Sequence, residues 1–222
     1  MDGTGELFTD FIAALPPAIP TLTARYPIDE FLDYDALVAF VEKIFPTTPF
    51  LVVAESFSSP VGVLLAAKRP PNMKGLVLCA GFVSNPMPRL AMVATIFASS
   101  ALLRMNPPEW ILRKYLIGES APATLVQQLS GAIRRVKRTV LLERAQAVIN
   151  CDAKNALSAT VTPMLYLQGR QDCVVDAKSV DEIAARRADM QLKVIEAPHL
   201  VLQCAPRDSA EAIMGFVNSL RD

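Results

Sequence analysis

The sequence predicts an α/β architecture: a mostly parallel sheet flanked by helices, with a block of helices inserted before a late strand. Three observations carry this. Short strand-like runs recur at Phe50–Val53, Gly75–Ala80, Pro163–Leu167 and Gln191–Ile195, and the first two are continuously apolar, as buried parallel strands are. Segments with helical periodicity lie between them, the alternation that builds a parallel sheet covered on both faces. The 222 residues are 52% hydrophobic, enough for one domain with a large core, or a core with a small cap.

Each element has its own warrant. Met1–Gly5 is a glycine-rich turn, and Glu6–Leu15 repeats Leu7, Phe8, Phe11, Ile12 and Leu15 at helical spacing until Pro16-Pro17 ends it. Thr21–Tyr26, rich in β-branched residues, reads as a strand. Asp33–Phe45 is a helix with Leu37, Phe40, Val41 and Ile44 on one face, stopped by Pro46. The run Phe50–Val53 turns through Ala54-Glu55-Ser56-Phe57-Ser58 into an apolar helix, Val61–Ala67, which stops at Arg69-Pro70-Pro71. Gly75–Ala80 is the next strand. From Ser84 to about Thr160 the pattern is helical and broken by prolines, with helices near Arg89–Met105, Pro108–Leu116 and Ala123–Ile149. The first of these is apolar almost all round, so it is expected to be buried or to line an apolar pocket. The last carries the stripe Leu125, Leu129, Ile133, Val136, Val140. Its basic run Arg134–Arg138 lies mostly off that stripe, as a solvated helix face does; the alternative is a docking patch for an anionic carrier or substrate tail. These boundaries divide the chain into a core of residues 1–84, a helical cap of residues 85–160, and the rest of the core, residues 161–222. In that last part Pro163–Leu167 and Gln191–Ile195 are strands, Asp176–Ala188 is a helix, and Asp208–Leu220 closes the chain with Ile213, Phe216, Val217 and Leu220 inward.

Composition excludes several classes of function. Twenty-two basic residues balance 22 acidic ones, so no global field selects nucleic acid or an anionic membrane. The longest uncharged apolar stretch, Leu90–Leu103, is too short to span a bilayer, and the polar start Met1–Gly5 has no basic-then-apolar signal pattern. Cys79, Cys151, Cys173 and Cys204 form no C-x-x-C pair and share the chain with a single histidine, which argues against zinc. The expectation is a reduced, cytoplasmic protein with buried thiols.

The chemistry gathers at three positions. Ser56 sits between a strand and a helix with small residues, Ala54 and Ser58, two positions to either side. This is a degenerate G-x-S-x-G nucleophile elbow. A serine here also serves as a helix N-cap; Ser58 and Ser59 are rival caps, and Ser58 is a rival nucleophile, although it would put Pro60 where a small, flexible residue is wanted. Asp172 ends the turn-like Gly169-Arg170-Gln171-Asp172, and His199 follows Pro198. Alone, one is a turn aspartate and the other a loop histidine. Together the three lie just past the C-terminal ends of strands, where parallel sheets bind ligands. Their order is Ser, Asp, His, and they include the chain's one histidine. Serine needs histidine to take its proton, and histidine needs an acceptor on its other nitrogen.

With these motifs the chain resembles an α/β-hydrolase fold serine esterase along its length. LVVAESFSSPVGVLLAAKRP resembles that family's strand, elbow and helix; TPMLYLQGRQDCVV its acid-bearing strand and loop; IEAPHLVLQCAP its histidine loop. The resemblance implies an oxyanion hole from the N–H of Phe57 and one from Asp2-Gly3-Thr4-Gly5, which is similar to the family's His-Gly-x-Gly loop with Asp2 in place of histidine. Thr4 is then the second donor. The elbow lacks the family's glycines. The family sheet has strands ahead of this loop, one of them beside the elbow strand, whereas this sequence starts at the loop. The implied activity is cleavage of small carboxylic esters through an acyl-serine, with a small-molecule ester as partner and no cofactor or metal. The apolar cap helix, with Met92, Ile96 and Phe97, suggests the acyl pocket. A thioesterase or acyl transferase would use the same residues. The alternative from another class is a silent binding protein on the same fold. A cysteine mechanism through Cys204 or Cys173 ranks below both, since neither lies on an elbow.

Overall fold

The computed structural model describes residues 1–86 and 107–220. Four parallel strands, β1 (Phe50–Glu55), β2 (Met73–Cys79), β3 (Met164–Gly169) and β4 (Gln191–Ile195), lie side by side in sequence order. The register pairs Val53 with Val77, Val77 with Leu165, and Leu165 with Gln191. Parallel neighbours need crossovers. These are α3 (Ser59–Ala67) between β1 and β2, a helical region between β2 and β3, and α8 (Ala177–Arg186) between β3 and β4.

Period-two alternation sorts the strand residues onto two faces. Val77, Cys79, Leu165 and Leu167 pack with Phe11 of α1 (Thr9–Ala14) and with Ile213 and Phe216 of α10 (Pro206–Ser219). Leu76, Leu78, Met164 and Tyr166 point the other way, onto Val63 and Ala66 of α3, Leu157 of α7 (Lys154–Ala159), and Val180 and Ile183 of α8. Each such buried side chain contributes about 1.5–3 kcal/mol of transfer free energy. All four strands run one way, so their C-terminal ends, and the loops after them, meet at one edge.

Several elements are as the sequence predicts. A short 3₁₀ turn, Glu6–Phe8, leads into α1, and α2 (Tyr34–Glu42) is capped by the Asp33 carboxylate, which accepts from Ala36 N–H at 2.8 Å. Between β2 and β3 lie α4 (Glu109–Leu112), continued by a π-helical turn Arg113–Ile117, then α5 (Ala123–Arg135), α6 (Arg138–Ile149) and α7.

Other expectations need correction. Thr21–Tyr26 is not a strand: Pro20 and Pro27 bracket it, and its last N–H bonds to Gly3 O at 2.8 Å instead of to a ladder. The single helix expected over Ala123–Ile149 is two, because Val136 adopts extended backbone, Lys137 is also non-helical, and Lys137 N–H donates to Ile28 O at 2.7 Å. The break leaves the apolar stripe intact, with Leu125, Leu129, Ile133, Val136 and Val140 in one buried cluster, while Arg134, Arg135, Lys137 and Arg138 are exposed. Strand β1 is parallel but only partly buried. It pairs with β2 alone among the described residues, and Val53 is 37% exposed. A short helix, α9 (Val201–Cys204), has no counterpart in the sequence reading. The helix expected over Arg89–Met105, with Met92, Ile96 and Phe97, lies outside the described residues.

Candidate active site

Ser56 begins a 3₁₀ turn at the end of β1 and has φ +51°, left-handed backbone that a residue with a Cβ adopts only at a cost of about 1–3 kcal/mol. The turn is held by the close approach of α3 to β1. A Cβ on Gly62 would come within 2.9 Å of Ala54 Cβ and 3.0 Å of Leu76 Cδ1. Small residues are thus required at Ala54 and Gly62, which face each other. The strained turn lifts the serine hydroxyl from the strand end to His199, with Oγ 2.8 Å from Nε2.

The other two residues are brought together by the ends of β3 and β4. Arg170 N–H donates to Ile195 O at 2.8 Å and Gln171 N–H to Ala197 O at 3.0 Å, extending the pairing beyond the strands. Gly169 makes this possible: a Cβ there would sit 2.5 Å from Pro198 O. Asp172 then lies against His199, its Oδ1 and Oδ2 at 3.1 and 3.0 Å from Nδ1. Oδ1 also accepts from the N–H groups of Val174 and Val175 at 2.8 and 3.1 Å, which fixes the carboxylate. The His199 and Asp172 side chains are 3% and 4% exposed. A carboxylate on Nδ1 places the imidazole proton there, leaving the Nε2 lone pair for the serine hydroxyl.

The rivals are placed elsewhere. Ser58 Oγ accepts from the Tyr26 hydroxyl at 3.1 Å, and Ser59, fully buried, faces Ala54 O at 3.5 Å. Burial pushes the Cys204 thiol up to about 12, and its Sγ contacts Ile117 O at 3.5 Å; a thiol so held is a poor nucleophile. No His/Cys/Asp/Glu group among the described residues is arranged to hold a metal.

A largely apolar cavity of about 120 Å³ opens on Ser56 and His199. Its walls include Phe57, Leu116, Leu129, Ile133 and Val148, together with Gly3 and Glu55. Phe57 is buried, its ring 5.3 Å from Tyr34 and 6.4 Å from Tyr26. The Asp2–Gly5 loop lies alongside, with φ +71° at Gly3 and +74° at Gly5. Thr4 is in this loop, but its N–H and hydroxyl both donate to Asp2 Oδ1, at 2.9 and 2.6 Å. In this conformation the Thr4 N–H is covered by a carboxylate.

Residues 28–202, from the loop before α2 to α9, match the model of the serine aminopeptidase S33 family. The chain belongs to that family of hydrolases. Solved structures show the same α/β-hydrolase fold in this family member at low identity. A hydrolase from Oleispira antarctica superposes with a TM-score of 0.83 at 14% identity, over 98% of this chain and 88% of that one. An esterase from Exiguobacterium antarcticum gives 0.79 at 12%, over 97% and 88%. A thermophilic esterase from Thermogutta terrifontis gives 0.71 at 18%, over 89% and 76%. No curated protein matches significantly. No helix among the described residues of this hydrolase is long and apolar enough to cross a membrane.

Two charged residues at the site of this S33 hydrolase escape the sequence reading. Glu55, directly before Ser56, accepts from Leu202 N–H at 3.1 Å and Gln203 Nε2 at 2.8 Å, tying the turn at Ser56 to the segment after His199. Burial raises its carboxyl above the ordinary value, against the pull of those two donors. Arg144 on α6 is 1% exposed. Its signal is legible afterwards: Val140, Arg144 and Val148 follow one another four apart along a buried stripe.

Proposed function

We propose that this hydrolase cleaves small carboxylic esters through an acyl-serine. Ser56 Oγ attacks the carbonyl carbon as its proton passes to His199 Nε2. The imidazolium, held by Asp172, then protonates the leaving alcohol as the C–O bond breaks. Water, deprotonated by His199, releases the acid and restores the serine. The Phe57 N–H is the first oxyanion donor, and Thr4 supplies the second once the Asp2 carboxylate turns away from its N–H. Each such donor is worth about 100–1000-fold in rate. The observation that carries this reading is the unbroken hydrogen-bonded line from a left-handed Ser56 through His199 to Asp172.

The cavity supports an uncharged, apolar acyl group. Its walls are mostly apolar side chains, Phe57, Leu116, Leu129, Ile133 and Val148 among them. Thioester cleavage or acyl transfer uses the same residues and differs only in leaving group or acceptor. One observation favours the silent binding reading: the covered Thr4 N–H.

Intact mass after treatment with a fluorophosphonate separates the two readings, because the probe reacts with an activated serine and spares an ordinary one. One adduct per chain is expected, absent in Ser56→Ala and retained in Ser58→Ala. A cooperatively folded protein that takes no adduct would establish the silent reading instead.

A further inference from the structure

Arg144 is among the largest fully buried side chains, yet among the described residues no carboxylate lies within ion-pair distance of it and its Nε has no partner. A buried cation with an unsatisfied donor costs stability. What it does contact is specific. Nη1 donates to Met1 O at 2.6 Å and Asp2 O at 2.9 Å, and Nη2 to Pro27 O at 2.8 Å. The guanidinium carbon also lies 5.9 Å from the centre of the Tyr26 ring and 5.8 Å from that of Phe57, within cation–π range.

These contacts reach both segments that would donate to an oxyanion. A peptide unit is planar, so fixing its carbonyl fixes the N–H on the other side. Arg144 holds the Asp2 carbonyl, and Tyr26 N–H holds the Gly3 carbonyl at 2.8 Å. The second of these planes carries the Thr4 N–H. Only glycine fits between them: a Cβ on Gly3 would lie 2.9 Å from Tyr26 Cβ and 3.0 Å from Arg144 Nη1.

The geometry points to Arg144 as a positioning residue for acyl transfer, a clamp from the helical region that holds the Asp2–Thr4 main chain and the Phe57 ring in mutual register. This rests on the hydrolytic reading above. With the main chain so held, uncovering the Thr4 N–H requires only that the Asp2 side chain turn away from Thr4.

The test compares wild type, Arg144→Met and Arg144→Lys for melting, for kcat and KM on a short-chain aryl ester, for the rate of fluorophosphonate labelling, and for amide exchange in Gly3–Glu6. In a cooperatively melting Arg144→Met, kcat and labelling are expected to fall about 100-fold with KM within about twofold. Exchange in Gly3–Glu6 speeds up while that in β2 does not. Lysine restores part of kcat. A folded Arg144→Met with wild-type kcat, a rise in KM alone, or unaltered loop exchange overturns the inference. If the methionine variant fails to fold, the lysine variant decides: reduced kcat in a folded protein supports the clamp, and full kcat overturns it. A wild type that neither labels nor turns over ends the hydrolytic reading and the clamp's catalytic role together. A wild type that labels while Arg144→Met keeps pace removes the clamp alone.

Discussion

The Asp172–His199 contact sets which nitrogen of the imidazole carries the proton, and one atom tests it. Asp172 Oδ1 accepts from two backbone N–H groups besides facing His199 Nδ1. In Asp172→Asn the amide oxygen can keep the backbone bonds, and the NH₂ then turns toward Nδ1. That forces the proton onto Nε2, which can no longer accept from Ser56. The expected loss is about 10⁴-fold in kcat, with stability changed by no more than about 1 kcal/mol, the worth of a hydrogen bond. Steady-state kinetics and a thermal melt on one preparation check both. Activity within tenfold of wild type would remove Asp172 from the proposed role. The residue types of this line were legible in sequence because the chain has one histidine to place. The oxyanion side was less so. That Asp2 reaches forward to cover Thr4 N–H depends on a side-chain rotamer, which no spacing rule encodes.

At the scale of elements, Glu55 joins the end of β1 to α9. Its carboxyl is buried, and burial raises its pKa in the folded state. Below the ordinary value of 4.5 both states are protonated. As pH rises from there through the raised folded value, the unfolded chain releases its proton while the folded chain holds it, so stability falls. Glu55→Gln has no such proton. Its melting temperature relative to wild type is expected to climb over that window, read from melts between about pH 4 and about pH 8. Parallel curves for the two proteins would show that the buried carboxyl is not the cause. The same strand shows what patterning delivers and where it stops. The apolar run Phe50–Val53 forms a parallel strand followed by the turn at Ser56, but periodicity carries no information on neighbours, and among the described residues β1 pairs with β2 alone. Likewise Leu125 to Val140 keeps helical spacing across a break. Val136 stays inward while the backbone extends, so the pattern survives and the helix does not. Thr21–Tyr26 has strand-like composition, but its last N–H is claimed by the Gly3 carbonyl of the Asp2–Gly5 loop, a tertiary effect.

The cavity belongs to the whole molecule, since its walls come from the N-terminal loop, the Ser56–Ser58 turn, the helical region and the histidine segment. The formal charge balances at zero and the cavity walls are largely apolar, so on the proposed reading selection rests on shape and apolar contact. Each buried methylene contributes about 0.8 kcal/mol, so kcat/KM is expected to rise about fourfold per added carbon until the acyl chain meets the far wall. Leu129 is part of that wall, 3% exposed on α5 and facing the cavity. Leu129→Ala removes three carbons there. The free enzyme is expected to lose about 2–5 kcal/mol, and the preferred acyl chain to lengthen, because a longer chain refills the space. Profiling kcat/KM across a series of aryl esters of increasing acyl length, in wild type and variant, measures the shift. A variant that melts lower but keeps the wild-type chain-length optimum would place the acyl group elsewhere and assign Leu129 to packing alone.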